Sequence, residues 1–254
     1  MEQTMTGRVA IVTGASSGIG EAIAIAFGRE GASVVLGGRR VEELERVAAA
    51  VTTAGGHALP VPGDVRNEAD VIALFAGAKR AYGRLDVLVN NAGVTAHQPI
   101  DEMSLEYWND VVAANLTSAF LATREAIKIM KAQDPQGGRI ISMGSISQKT
   151  PRADSLAYTA TKHGLQGLTH QVTMDGRAYG VVASIIHPGS TLSGFTRRTS
   201  GRSTAGAGET PQQYVMAAED VARVAVLMAT LPPEVNLYEA TILPNHMPSF
   251  INRG

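Results

Sequence analysis

A doubly wound α/β fold, with a seven-stranded, mostly parallel sheet and helices on both faces, is what this chain of 254 residues predicts, on three observations. Short apolar runs rich in β-branched residues recur along its length, amphipathic stretches separate them, and the apolar runs are continuous instead of alternating. Strand alternating with helix implies right-handed crossovers and parallel pairing. A parallel sheet is covered on both faces, so its strands carry no polar side.

The first run, VAIVT (9–13), passes through a glycine-rich turn into helical patterning at 19–30. SVVLG (33–37) and HALPV (57–61) follow, with helical stretches at 41–54 and 67–82. DVLVN (86–90) precedes a long helical stretch over 104–132, RIISM (139–143) precedes one over 157–179, and VVASII (181–186) is followed by one at 218–230. LYEATIL (237–243) closes the series. No linker breaks the alternation, so residues 1–254 read as one domain. Gly176, near the end of the 157–179 stretch, costs about 1 kcal/mol against Ala in a helix interior, which predicts an early fray or a tight packing contact. The segment 189–216 is dense in Gly, Ser and Thr without a sustained period, and a loop of that length inside a compact domain reads as a substrate-binding loop. The last residues, 244–254, carry two prolines and read as an extended tail that docks elsewhere.

Composition removes several chemistries. Cys is 0, which excludes disulfides, thiolate nucleophiles and cysteine metal sites together. The six histidines are scattered without metal-ligand spacing, so no metal is expected. A net charge of −1 without basic or acidic blocks points away from nucleic acid and anionic membrane. The opening MEQTMTGR lacks the apolar core of a signal peptide, and no apolar run approaches the ~18 residues of a membrane span. A cytoplasmic location is the expectation.

VAIVTGASSGIGEAIAIAF reads as strand, glycine turn and helix. Gly14, Gly18 and Gly20 stand where the backbone turns sharply, and the following helix directs its free N–H groups and positive dipole end into the turn, where a phosphate fits. Ser16, Ser17 and Ile19 complete this candidate phosphate site. The same residues, Gly14 to Gly18, also satisfy the G-x-S-x-G elbow of serine hydrolases. That elbow normally follows several strands, however, and its histidine could be nominated only by elimination, from His187 or His246.

The second strand ends in VVLGGRR. A dinucleotide fold that prefers NAD places a carboxylate there to bond the ribose 2′-hydroxyl. This chain has Gly37, Gly38, Arg39 and Arg40. A guanidinium grips a 2′-phosphate that a carboxylate would repel, so the expected cofactor is NADP(H). The plain alternative is two arginines opening a solvated helix.

AYTATKHG (157–164) sets Tyr158 four residues before Lys162, on one helix face. A neighbouring cation favours phenolate, which predicts a lowered Tyr158 pKa and a side chain able to exchange a proton with a carbonyl oxygen or an alcohol near neutral pH. Y-x-x-x-K alone is usually a surface pair.

Taken with the glycine turn, Asp64-Val65, NNAG at 90–93, Asn115 in VAANLTSAF, Ser145 and HPG at 187–189, the chain resembles the short-chain dehydrogenase/reductase family from Gly7 to about Leu243. The order and spacing of all the motifs carry the likeness. It implies a Rossmann-type fold and a tetrad of Asn115, Ser145, Tyr158 and Lys162. Tyr158 would be the acid/base and Ser145 would stabilise charge on the substrate oxygen. Lys162 would tune the phenol and hold the nicotinamide ribose, and Asn115, in a distorted helix, would hold a water through its backbone. Without the other three, an Asn bonding only neighbouring backbone would be the simpler reading. The likeness further implies that Asp64 and Val65 hold the adenine, that Asn91, Ala92 and Gly93 run along the adenosine, and that the residues after Pro188-Gly189 meet the carboxamide. There the chain departs from the family, with Thr191 where an aliphatic residue is usual and Ser193 where Thr is usual. A homotetramer is the family's common assembly.

The substrate pocket is expected among Val94, His97, Ile146, Gln148, His187, Phe195 and the 189–216 loop, with His97 more simply read as a loop cap. Aromatic residues make up 5% of the chain, so a ketone or aldehyde of modest size is favoured over a large planar ligand. An acyl-carrier-bound 3-oxoacyl group is the alternative, with Arg124, Lys128, Lys131 and Arg177 as its basic patch. A non-catalytic NADP(H) sensor is disfavoured because all four tetrad positions are filled.

Overall fold

The computed structural model describes residues 3–192, 215–245 and 247. Seven strands form one sheet in the order β3-β2-β1-β4-β5-β6-β7: β1 Val9–Thr13, β2 Ser33–Gly38, β3 His57–Pro62, β4 Val87–Asn90, β5 Gly138–Met143, β6 Val181–Pro188 and β7 Glu239–Ile242. All six pairings are parallel, so the expectation of a mostly parallel sheet is exceeded. Among the described residues the α-helices are α1 Gly18–Arg29, α2 Val41–Thr53, α3 Glu68–Tyr82, α4 Leu105–Val112, α5 Ser118–Ala132, α6 Leu156–Gly176 and α7 Ala218–Thr230.

Alternate residues of each strand feed opposite faces of the sheet. From β1, Ala10 and Val12 enter a core with Ile23 and Phe27 of α1, Leu44 of α2 and Val221 and Met228 of α7. Ile11 points the other way, into a core with Leu74 and Phe75 of α3, Leu121 and Met130 of α5 and Val172 of α6. Both faces are thereby covered, which is why the strands read as unbroken apolar runs.

Two elements differ from the sequence reading. The stretch 104–132 is not one helix: Ala113–Thr117 is a π-helical turn between α4 and α5, a wider winding that apolar periodicity does not signal. Gly176 ends α6 in a packing contact, since a Cβ there would lie 2.8 Å from the Val181 carbonyl oxygen, and the chain continues as a 3₁₀ turn, Arg177–Tyr179.

The order reverses between β1 and β4, whose consecutive connections leave on opposite sides and open a crevice at the carboxyl ends of the strands. Most of the predicted substrate loop, 193–214, and the tail after Met247 lie outside the described residues, as do Ser193, Phe195 and His246. Of the tail, Pro244 and Met247 pack against Gly189. Among the described residues no helix is long and apolar enough to cross a membrane, and no group of three or more His, Asp or Glu could hold a metal ion.

Candidate active site

At the β1-to-α1 turn the backbone does what the glycines permit. Gly14 and Gly18 have φ of 65° and 61°, in the left-handed region. A Cβ on Gly14 would stand 2.9 Å from Ala92 Cα, and one on Gly20 would collide with the Asn91 side chain and the Gly14 carbonyl. Asn91 fixes this approach, its Nδ2 donating to Thr13 O (3.0 Å) and Gly14 O (3.2 Å). Thr13 Oγ1 accepts in turn from the amides of Asn91 (3.0 Å) and Ala92 (3.1 Å). Thr13 escaped the sequence reading because a strand-end threonine carries no signal of its own.

Ser17 precedes α1 in extended conformation, and its hydroxyl accepts from Arg40 Nη2 (2.8 Å) instead of capping the helix. The first-turn amides of α1 are left directed into the turn. The same Arg40 nitrogen donates to Ser16 Oγ (2.9 Å) and Ser16 O (3.2 Å). Arg39 is largely exposed, its Nη1 3.9 Å from Asp64 Oδ2. Two guanidinium groups thus border a turn of free amides, and no carboxylate stands at 37–40; the donor set fits a nucleotide that carries an extra phosphate. Ser16, held by Arg40, is not arranged as a nucleophile beside a histidine.

Asp64 is gripped by Arg66, with contacts of 2.6 Å and 3.0 Å to Oδ2, and that pairing holds its carboxyl below the usual range. Arg66 was not singled out, although its place two residues after Asp64 offered the signal. Val65 packs against the core on the α3 side.

At the other end of the crevice, Tyr158 and Lys162 lie one turn apart on α6 and Ser145 follows β5. The Ser145 side chain stands near enough to the Tyr158 phenol to draw its proton affinity down, and Lys162 Nζ lies 5.5 Å from the tyrosine ring centre. Lys162 donates to Met143 O (2.7 Å) and is buried. The structure corrects the predicted sign for Tyr158. Burial pushes the phenol above its ordinary value, while the nearby Ser145 side chain and, more weakly, Arg152 oppose it. Lys162 is itself desolvated, its pKa lowered to about 8. Burial disfavours every charged form, and for Tyr158 it outweighs the opposing pull of Ser145 and Arg152.

Asn115 sits inside the π-helical turn, as a distorted helix requires. Its side chain reaches beyond neighbouring backbone: Oδ1 accepts from Val94 N (2.7 Å), and Nδ2 donates to Val94 O (3.0 Å) and Thr161 Oγ1 (3.2 Å). It ties the segment after β4, including Gly93, to α6.

Thr191 is buried, donates to Gly189 O (3.0 Å) and pairs by backbone with Met216. Pro188 ends β6 and Gly189 donates to Ile242 O (2.8 Å). Of the pocket candidates, Val94 joins an apolar cluster with Tyr158, Tyr107 and Trp108. The His97 ring meets Ser155 Oγ at 3.3 Å, which makes it a cap for the loop before α6. His187 is corrected: only 1% exposed, it stands behind Ser145 and lines no open surface. The proposed basic patch is engaged elsewhere, Arg124 with Glu68 and Glu125, Lys128 with Glu125, and Lys131 over the Tyr179 ring.

Residues 8–203 match the model of the family described as short chain dehydrogenase. The chain belongs to that family. It is 40% identical over 194 residues to a 3beta-hydroxysteroid dehydrogenase of Mediterraneibacter gnavus, covering 76% of this chain and 69% of that one. It is 31% identical over 246 residues to dehydrogenase/reductase SDR family member 11 of Gallus gallus, covering 94% and 96%. Among solved structures, a metagenomic short-chain oxidoreductase in complex with NADP matches with TM-score 0.79 and 34% identity, over 94% of this chain and 97% of that one. A short chain dehydrogenase from Burkholderia cenocepacia in complex with NADP matches with TM-score 0.83 and 28% identity, over 94% and 97%. As a member of this family the protein is an oxidoreductase acting on CH–OH groups.

Proposed function

We propose that the protein interconverts a ketone or aldehyde of modest size and the corresponding alcohol with NADP(H), Tyr158 acting as acid/base. The observation that carries this reading is the convergence of Ser145, Tyr158 and the buried Lys162, whose Nζ lies 5.5 Å from the tyrosine ring, at one end of the crevice. Binding of NADP(H) is supported by Arg39 and Arg40 at the glycine turn and by the NADP bound to both relatives.

In this reading the turn from Gly14 to Gly20, with Arg39 and Arg40, holds the phosphates. Asp64, Val65 and residues 91–93 hold the adenosine, and Lys162 and Thr191 face the nicotinamide half. NADP(H), when bound, supplies or accepts the hydride. A phenol raised by burial stays protonated at neutral pH, so Tyr158 is prepared to donate its proton to the carbonyl oxygen. Ser145 orients that oxygen and stabilises the charge that develops on it. Asn115 keeps residue 94 and α6 in register beneath the substrate.

The pairing of the basic side chains favours a free carbonyl compound over a carrier-bound one. Residues 1–254 act as one catalytic domain, with 189–216 as its substrate loop. The protein works in the cytoplasm as a homotetramer, a reading supported by the family likeness and by apolar side chains turned outward on α4 and α5, Leu105 and Phe120.

The test is NADPH consumption across a panel of ketones and aldehydes, with NADH as comparator. Turnover with NADPH and much slower turnover with NADH is the expected result. Tight NADPH binding without any turnover would establish a sensor instead, and fluorophosphonate labelling of Ser16 a hydrolase.

A further inference from the structure

Glu239, on the edge strand β7, stands outside every residue assigned to cofactor or chemistry, yet its carboxylate gathers three elements of the reacting end. Oε1 lies 3.3 Å from His187 Nε2 on β6 and 3.2 Å from Nζ of Lys149, which closes the short 3₁₀ turn Ile146–Gln148 after Ser145. Oε2 accepts from Gln166 Nε2 on α6 at 3.3 Å.

His187 is the buried part of this arrangement. Its ring lies on the backbone of Gly144, where a Cβ would come within 2.5 Å of Nδ1, and it also faces the backbone of Ser145. Neither ring nitrogen completes a hydrogen bond of normal geometry, so Glu239 is its close charged neighbour. Burial, with Lys149 and Lys162 nearby, keeps the ring neutral at neutral pH against the opposing pull of Glu239. The segment 144–149 is therefore pressed from below by His187 and tied beyond its turn by Lys149. The Gln148 side chain donates to Lys162 O and anchors the same segment to α6.

We propose that Glu239 is a positioning residue: through His187 under Gly144 and Lys149 after Gln148, its carboxylate sets the 144–149 segment so that Ser145 meets the Tyr158 hydroxyl. The inference rests on the roles proposed for Ser145 and Tyr158. A reacting group must be held to within about 0.5 Å by such supporting contacts.

The experiment compares wild type, Glu239→Ala and Glu239→Gln, each with and without Ser145→Ala. Glu239→Ala is expected to lower kcat about tenfold while NADPH affinity changes less than twofold, because a displaced Ser145 costs orientation and not cofactor binding. Glu239→Gln keeps an acceptor for Gln166 and Lys149 and recovers part of the loss. In the Ser145→Ala background the Glu239 substitutions should cost less than twofold, since the group they position is gone. Spectrophotometric titration of Tyr158, each protein read against its Tyr158→Phe counterpart, supplies a readout free of turnover. Loss or displacement of the Ser145 hydroxyl should move the phenol upward in Ser145→Ala and in Glu239→Ala alike. Effects that multiply in the double variant, or a Tyr158 titration unmoved by Glu239→Ala, would overturn the proposal. Should Glu239→Ala fail to fold, Glu239→Gln decides by the same two criteria. If no carbonyl compound turns over, the reductase reading fails and the titration alone decides the positioning role.

Discussion

At the β1-to-α1 turn, groups are placed by backbone: Gly14 and Gly18 adopt positive φ, Asn91 bonds two carbonyls, and Arg40 reaches both serines from an open surface. At the β5-to-α6 end, groups are tuned by enclosure: Lys162 and His187 are buried, and each has its proton affinity moved chiefly by loss of water. The glycine-turn end is therefore set by local geometry, because its contacts are made by backbone and by side chains within hydrogen-bond reach of it. The reacting end depends on how much water the whole fold excludes. The glycine turn accordingly rests on charges fixed in place, and the Tyr158 end on groups whose proton affinities burial has shifted.

The sharpest way to separate the two ends is Tyr158→Phe. It should reduce turnover by about 10³-fold or more while NADPH affinity stays within about twofold, measured by steady-state kinetics and fluorescence titration. Substantial activity in that variant would place the acid/base elsewhere. Next in size, Arg40→Ala removes charge-assisted bonds at the turn and should weaken NADPH by about 10- to 100-fold, with NADH less affected and kcat at saturation nearly unchanged. Arg39→Asp should swing preference toward NADH, and no swing would sink the 2′-phosphate argument.

A smaller effect tests enclosure directly. The Lys162 ammonium is present below about pH 8 and is lost above it, whereas Tyr158 keeps its proton through that range. Carbonyl reduction should therefore decline by up to tenfold per pH unit above about 8. In Lys162→Arg the residual activity should show no such limb, because a guanidinium does not titrate there. The smallest effect is a control: Asn67 caps α3 by accepting from the amides of Ala69 and Asp70. Asn67→Ala should cost about 0.5–2 kcal/mol of stability by denaturant unfolding and leave both ends kinetically intact.

The sequence placed β1 over its full span and the other strands to within a few residues, because continuous apolar runs bounded by Gly and Asp are a local signal. The glycine turn and the arginines were legible for the same reason. Asn115 was found only through its place in a wider pattern, since nothing local announces a π-helical turn. His187 was misplaced in the pocket because HPG gives no hint of what packs on it, and Glu239 carried no sign that a strand edge would bring it to the Ser145 turn.

By itself, then, the order of residues determined the parallel sheet, the glycine turn, the positive charge at 39–40 and the pairing of Tyr158 with Lys162 on one helix face. Only the tertiary structure decided the sign of the Tyr158 shift, the neutral state of His187 and the meeting of β6, α6 and the Ser145 turn at Glu239. Periodicity and backbone preference act over neighbouring residues. Desolvation is a sum over everything that packs around a group, and no stretch of sequence contains that sum.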